Sequence, residues 1–333
     1  MSRIETAVLI QGTQKQGLIH WNQLLSQYPN AQSLIGETQR LLTDRAIDVD
    51  LMNYMTAPER SIFSSTTQIF AEQVLTFLYT WHFWHTKFKP SLEAQDMPAR
   101  PAFLGHSYGL WLAFALNQGN FSAALEQIIL PRAIHTSKVP GSTILFSSNE
   151  NRAEEPIDLV AIQGLCQLAK EAWISVVNNP QRQVAVAGTE AGVKRVIAGI
   201  GALELNLQAR EFPLGVAWHT PLLMETAATI ANDLPPAKSF AKNVTIPVLY
   251  LDRRGRLRAT TSSKRILGLM MRELTEPFLF WDMARQLGSR NLVEINLQSR
   301  KFLTGFVQQA TPTKRNHAPS KQKAGALALA TPL

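Results

Sequence analysis

The chain has 333 residues, of which 45% are hydrophobic and 17% charged. That is apolar mass for a full core and about two domains, and it excludes a disordered chain; 18 Gly and 18 Pro exclude a fibrous or low-complexity one. One cysteine, Cys166, excludes an internal disulfide and a soft-ligand zinc cluster, and a formal net charge of +8 favours an acidic or phosphate-bearing partner.

No apolar run approaches the ~20 residues of a membrane span. The longest, Val74 to Trp84, is broken by Thr76, Thr80 and His82. The first six residues lead straight into a strand-like run and lack the apolar stretch of a secretory signal. A cytoplasmic, reducing compartment is expected, with no membrane partner. Cations concentrate at Arg253, Arg254, Arg256 and Arg258, and at Lys314, Arg315, Lys321 and Lys323. No zinc-finger or helix-turn-helix spacing accompanies them, so no nucleic-acid partner is expected.

Ala7 to Ile10 reads as a strand ending at a Gln11-Gly12-Thr13 turn. Leu18, Trp21, Leu24 and Leu25 recur at helical spacing, and a long helix is predicted from Ser65 to His85. Phe88 to Arg100 holds two prolines and reads as a loop. Pro101 to Leu104 is a short strand, Gly105-His106-Ser107-Tyr108-Gly109 a tight turn, and Leu110 to Leu116 a helix. A second helix runs from Ala123 to His135.

The middle of the chain changes character. Strands are predicted at Ser142–Phe146, Trp173–Val177, Gln183–Ala187 and Glu204–Phe212, and helices at Ile157–Ala172 and Glu190–Leu203. Their order, βαββαβ, is the ferredoxin-like signature. Beyond it, Thr220 is expected to cap a helix that starts at Pro221. A strand at Val248–Leu251, helices at Ser262–Leu274 and Trp281–Leu287, a strand at Leu292–Leu297 and a helix at Arg300–Gln308 follow. From Thr311 the composition is Pro, Lys, Ala and Ser-rich, and residues 311–333 are expected to form a disordered basic tail.

The chemistry sits at Gly105-x-Ser107-x-Gly109, between a strand and a helix, which is the arrangement of a nucleophile elbow. The serine must occupy a sharp, strained turn, and the flanking glycines remove the Cβ atoms that would block it. The helix that follows aims free N–H groups and its positive dipole end at the site. The plainer alternative is a glycine-rich turn whose serine only caps the helix. A nucleophilic serine needs a base, and seven histidines are available. His20, His82 and His85 fall on predicted helices, His317 in the tail, and His135 at a helix end. His106 neighbours the serine but would point to the other side of the turn. His219, ahead of the predicted helix, is the best candidate, with a cap role as its alternative.

Together Gln11-Gly12-Thr13-Gln14, Gly105-His106-Ser107-Tyr108-Gly109 and Trp218-His219-Thr220-Pro221-Leu222 resemble runs found in this order in malonyl-coenzyme A:acyl carrier protein transacylases. Asn178-Asn179-Pro180 with Gln183–Gly188, and Phe302-Leu303-Thr304-Gly305-Phe306, extend the resemblance over about residues 5–308. It implies an α/β fold: an α/β-hydrolase-like catalytic subdomain (1–137 and 209–310) carrying an inserted ferredoxin-like small subdomain (138–208). It implies Ser107 as nucleophile and His219, oriented by backbone carbonyls, as base. The backbone N–H groups of Gln11 and Tyr108 would hold the oxyanion, and Arg132 would pair with a malonyl carboxylate. A planar guanidinium suits that bidentate role. Trp218 would narrow the pocket against a branched acyl chain. The implied partners are a coenzyme A thioester, malonyl-CoA as substrate, and an acidic acyl carrier protein. No metal or cofactor is implied, and a monomer is expected.

The chain departs from the family pattern at Ile10, at Leu110 and at Asn296-Leu297-Gln298. Glu273 stands where the family often has a glutamine near the active site. An anionic Glu273 beside a bound malonyl carboxylate would repel it, so either its position differs or selectivity is altered. These departures point to a specialised member serving a polyketide-type assembly line. The Arg253–Arg258 cluster is either a docking patch for the implied partners or merely a solvated hairpin. Three alternatives remain: a hydrolase clearing acyl groups from carrier proteins, an esterase of order Ser…Asp/Glu…His, and a catalytically inactive docking subunit.

Overall fold

The computed structural model describes residues 4, 6–11, 21–57, 59–94, 101–148, 157–212, 215–240, 244–288, 291–295, 297 and 302–310. Expectations placed on Gly12 to His20, on 95–100, on Asn296 and Gln298, and on the tail with His317 lie outside these residues. The chain begins with β1 (Thr6–Gln11), α1 (Trp21–Gln27), α2 (Ala31–Asp44) and α3 (Leu51–Thr56), then the long α4 (Ser65–Phe83). A π-helical segment, Trp84–Phe88, joins α4 to α5 (Lys89–Ala94). The chain continues through β2 (Pro101–His106), α6 (Gly109–Leu116), α7 (Phe121–Ala124), a second π-helical segment and α8 (Leu130–Thr136). Then come β3 (Ser142–Ser148), α9 (Leu159–Ala169), β4 (Ala172–Asn179), β5 (Gln183–Gly188), α10 (Glu190–Ala202) and β6 (Leu207–Glu211). The last part holds α11 (Met224–Asp233), α12 (Ala237–Phe240), β7 (Val248–Leu251), β8 (Leu257–Thr260), α13 (Ser263–Thr275), α14 (Phe280–Leu287), β9 (Asn291–Ile295) and α15 (Phe302–Ala310).

Two sheets result. The first has the order β8-β7-β2-β1-β9, with β7, β2, β1 and β9 paired in parallel and β8 closing the edge as an antiparallel hairpin partner of β7. Its inner strands β1 and β2 are apolar on both faces, as a doubly covered parallel sheet requires. Val8 and Ile10 enter one core with α4 and α6, while Ala7 and Leu9 enter another with α14 and α15. The second sheet, order β4-β5-β3-β6, is antiparallel throughout and shares a third core with α9 and α10. The βαββαβ order predicted for this segment is the one observed. Phe278 joins the sheets: its N–H donates to Ser175 and its carbonyl accepts from Val177 N. No helix among the described residues is long and apolar enough to cross a membrane.

Several elements differ from expectation for local reasons. The predicted loop at Phe88 begins as helix: the π-helical segment Trp84–Phe88 runs without a break into α5, which takes in Pro90. Ala172 belongs to β4 and not to the helix before it, since Lys170 takes a positive φ of 56° and ends α9. Thr220 does not cap: its hydroxyl donates back to the Ala217 carbonyl. Helix α2 escaped the sequence reading because its buried stripe, Ala31, Ile35, Thr38 and Leu42, includes a polar residue. β8 escaped because it is only four residues long and carries Arg258. In the hairpin turn Asp252 holds Arg256 and Arg258 through its Oδ2, which favours the solvated-hairpin alternative for that cluster.

The turn between β2 and α6 is the tightest junction. A Cβ on Gly105 would lie 2.1 Å from Leu110 N, and one on Gly109 would lie 2.0 Å from the Ile10 carbonyl oxygen. These contacts are backbone and cannot yield. Gly109→Ala is therefore expected to cost at least ~3 kcal/mol in urea unfolding. Gly36→Ala, on an exposed face of α2 with open space around it, is expected to stabilise by up to ~1 kcal/mol. Equal effects from the two substitutions would contradict this account of the turn.

Candidate active site

Ser107 follows β2 and precedes α6, and its φ of 55° is left-handed, a conformation costly for a residue with a Cβ. The strain lifts its hydroxyl out of the turn. His219 is held the same way, at φ 58°, between Trp218 and the short 3-10 turn Pro221–Leu223. These two strained residues meet: Ser107 Oγ lies 2.8 Å from His219 Nε2. The other ring nitrogen, Nδ1, donates to the backbone carbonyl of Glu273 in α13. With that proton on Nδ1, Nε2 is an acceptor and the serine hydroxyl donates to it. Burial pulls the His219 pKa below its usual value, with the Glu273 charge and carbonyl opposing that shift and Arg132 adding to it.

Glu273, 4% exposed, brings its carboxylate to the same place. Its Oε1 lies 3.3 Å from Ser107 Oγ, 3.6 Å from His219 Nδ1 and 3.6 Å from Arg132 Nη2. Its Oε2 accepts from Trp111 Nε1 at 2.8 Å. Of the alternatives left for Glu273, its position does not differ: it is in the site. Arg132, on α8, is buried, and its Nη1 donates to Gln73 Oε1 of α4. The Gln73 amide nitrogen in turn donates to the Ile69 carbonyl and to Thr136 Oγ1, fixing the amide's orientation. The guanidinium carbon sits 4.4 Å from the Tyr108 ring, 4.9 Å from Trp218 and 5.4 Å from Trp111. Three aromatic faces replace part of its lost water. Burial lowers the Arg132 pKa, and Glu273 is the chief group opposing that shift.

The remaining predicted residues fall around this centre. Tyr108 begins the helical turn after Ser107, and its phenol donates to the Gln73 carbonyl. Gln11 ends β1 in register with His106, and the Ile10–Gln11 peptide presses on Gly109. This sets the backbone of Gln11 beside the turn that carries Tyr108. His106 does point away: its Nε2 meets Asn178 Oδ1 at 2.8 Å, and its ring stands edge-on to Phe278 and Phe280. Burial lowers its pKa to about 4, so it stays neutral. His135 pairs with Asp233 at 2.5 Å. Sequence reading missed Gln73 and Trp111 as parts of the site. The signal for Gln73 was two polar residues, Glu72 and Gln73, inside an apolar helical run; Trp111 left none.

An acyl-carrier-protein S-malonyltransferase from Bartonella henselae superposes with a TM-score of 0.66 at 16% identity, over 92% of each chain. A malonyl-transacylase of a type II polyketide synthase, solved in complex with its acyl-carrier protein, gives 0.66 at 17% identity, over 92% of this chain and 93% of that one. An acyl carrier protein S-malonyltransferase from Vibrio cholerae gives 0.61 at 20% identity, over 92% and 94%. No protein-family model matches the sequence. No characterised protein matches it by sequence comparison. At these identities the shared property is the fold, a mixed α/β one with a parallel and a separate antiparallel sheet.

A base that burial keeps neutral sets a pH dependence. Its proton affinity is below the usual 6.5, so it accepts the serine proton throughout the neutral range. Modification of Ser107 by a fluorophosphonate is expected to keep a constant rate from about pH 8 to about 6.5 and to fall only below that. A rate already falling above about pH 7 would contradict a buried neutral His219.

Proposed function

We propose that this chain is a serine acyltransferase that moves an acyl group from a coenzyme A thioester to the phosphopantetheine thiol of an acyl carrier protein. The observation that carries the reading is the 2.8 Å contact between a strained Ser107 and a buried His219 whose far nitrogen is anchored. The likeness of fold to malonyl transacylases supports it, as does the co-structure of one of them with its carrier protein. The net charge of +8 suits two anionic partners. In fold terms, the parallel sheet with its helices is an α/β-hydrolase-like subdomain, and the antiparallel sheet with α9 and α10 is a ferredoxin-like insertion. With this reading goes a cytoplasmic monomer that would work without a metal or cofactor.

The steps balance within the chain's own groups. Ser107 Oγ attacks the thioester carbonyl carbon while its proton passes to His219 Nε2. The tetrahedral oxyanion forms beside the N–H groups of Gln11 and Tyr108; one such donor is typically worth ~3–4 kcal/mol. The C–S bond breaks, and the leaving thiolate takes the proton from the imidazolium. The carrier thiol then gives its proton to His219, attacks the Ser107 ester and restores the serine hydroxyl. The Glu273 carbonyl holds the imidazole in the tautomer that both half-reactions need. An esterase of order Ser…Asp/Glu…His is disfavoured, because the carboxylate facing His219, Glu273, comes after it in the chain.

Release of coenzyme A from a mixed pool of acyl-CoA, read first without and then with acceptor, tests this. One equivalent per enzyme is expected in a burst, with steady turnover only after holo-carrier protein is added. Ser107→Ala abolishes the burst, and His219→Ala slows it ~1,000-fold or more. Steady turnover without acceptor would establish the hydrolase instead, and no burst the inactive docking subunit.

A further inference from the structure

We propose that Glu273 takes the place of the acyl carboxylate at Arg132, so that the enzyme selects an acyl group carrying no negative charge. This rests on the acyl-transfer reading above, and it departs from the malonyl group that the sequence resemblance implies. A malonyl clamp needs a guanidinium with an open fork. Here Arg132 Nη1 is committed to Gln73, and Nη2 faces Glu273 Oε1 at 3.6 Å. Nε alone is buried with no hydrogen-bond partner. Gln73 takes one of the five N–H groups, and Glu273 already supplies the carboxylate that Nη2 faces, so a second carboxylate would meet a guanidinium whose charge is already matched.

Charge and position agree. The side chains of Arg132 and Glu273 are each 1% exposed, so the pair is neutral as a unit and sealed from water. A malonyl group on Ser107 would bring a second carboxylate into the same enclosure, where Arg132 is the one arginine or lysine, among the described residues, that an ion pair ties to Glu273. It would also meet Glu273 on the way, since the oxygen that faces Arg132 is the one 3.3 Å from Ser107 Oγ. Glu273 is not free to step aside. Its Oε2 is held by Trp111 Nε1, and its own carbonyl is the anchor of the His219 ring. Turning the carboxylate away would also strand the guanidinium among Tyr108, Trp111 and Trp218. Trp218, read from the sequence as a filter against branched chains, closes one face of that cage.

The test is competitive acylation of the full chain by acetyl-CoA and malonyl-CoA, read by intact mass. The expected result is an acetyl adduct forming about ten-fold or more faster than a malonyl adduct. Glu273→Gln, which keeps the shape and opens the guanidinium, is expected to shift that ratio toward malonyl by about ten-fold or more. A merely structural role for Glu273 would slow both adducts and leave the ratio in place, and that result overturns the proposal. Should Glu273→Gln fail to fold, the ratio measured on the unaltered chain decides alone. Malonyl acylation as fast as acetyl overturns the assignment of Glu273 and leaves acyl transfer standing. No adduct from either thioester overturns acyl transfer itself, and this proposal with it.

Discussion

Glu273 reaches the nucleophile, the base and the guanidinium from one position on α13. Its carbonyl fixes the imidazole, and its carboxylate faces Ser107, His219 and Arg132. Such a contact holds only where burial removes competing water. In an exposed position the ion pair would be worth ~0–1 kcal/mol, whereas breaking a buried one typically costs ~3–5 kcal/mol because the other charge is stranded. The site is therefore organised around a polar cluster that must stay complete. Gln73, Trp111 and the three aromatic faces supply the partners that complete it.

The architecture serves that cluster. Four separate segments deliver it: the turn after β2, the start of α8, the strained turn at His219, and the C-terminal half of α13. The parallel sheet holds the first rigidly, because β2 lies inside the sheet between β1 and β7. The positive φ at Ser107 and His219 is stored strain, and at Ser107 it persists because the backbone packed against the flanking glycines leaves no room to relax. The antiparallel sheet is tied to this centre through the backbone bonds of Phe278 and the His106–Asn178 contact. Its position is thus set by residues immediately flanking Ser107 and following Glu273.

Much of this could be read in the residues. The βαββαβ order was legible because its strands and helices are short, well punctuated and cleanly periodic. The elbow was legible because only glycines on both sides of a serine permit such a turn. His219 was reached by elimination among seven histidines and Arg132 through resemblance, and Ser107 and His219 do lie in contact. What the sequence concealed was pairing. Nothing in Arg132 or Glu273 alone says that they face each other, since 141 positions separate them and several elements intervene. The repulsion foreseen between Glu273 and a malonyl carboxylate needed the fold to show that Glu273 stays and that Arg132 is engaged. α2 and α5 were hidden by a polar residue in a buried stripe and by a proline inside a continuing helix.

The most direct measurement is a crystal structure of the acyl-enzyme, trapped after reaction with acetyl-CoA. The account predicts an ester on Ser107 Oγ, with the Glu273 carboxylate still within ion-pair distance of Arg132 and its carbonyl still on His219. An acyl group on another residue, or a Glu273 side chain turned away from an open Arg132, would contradict it.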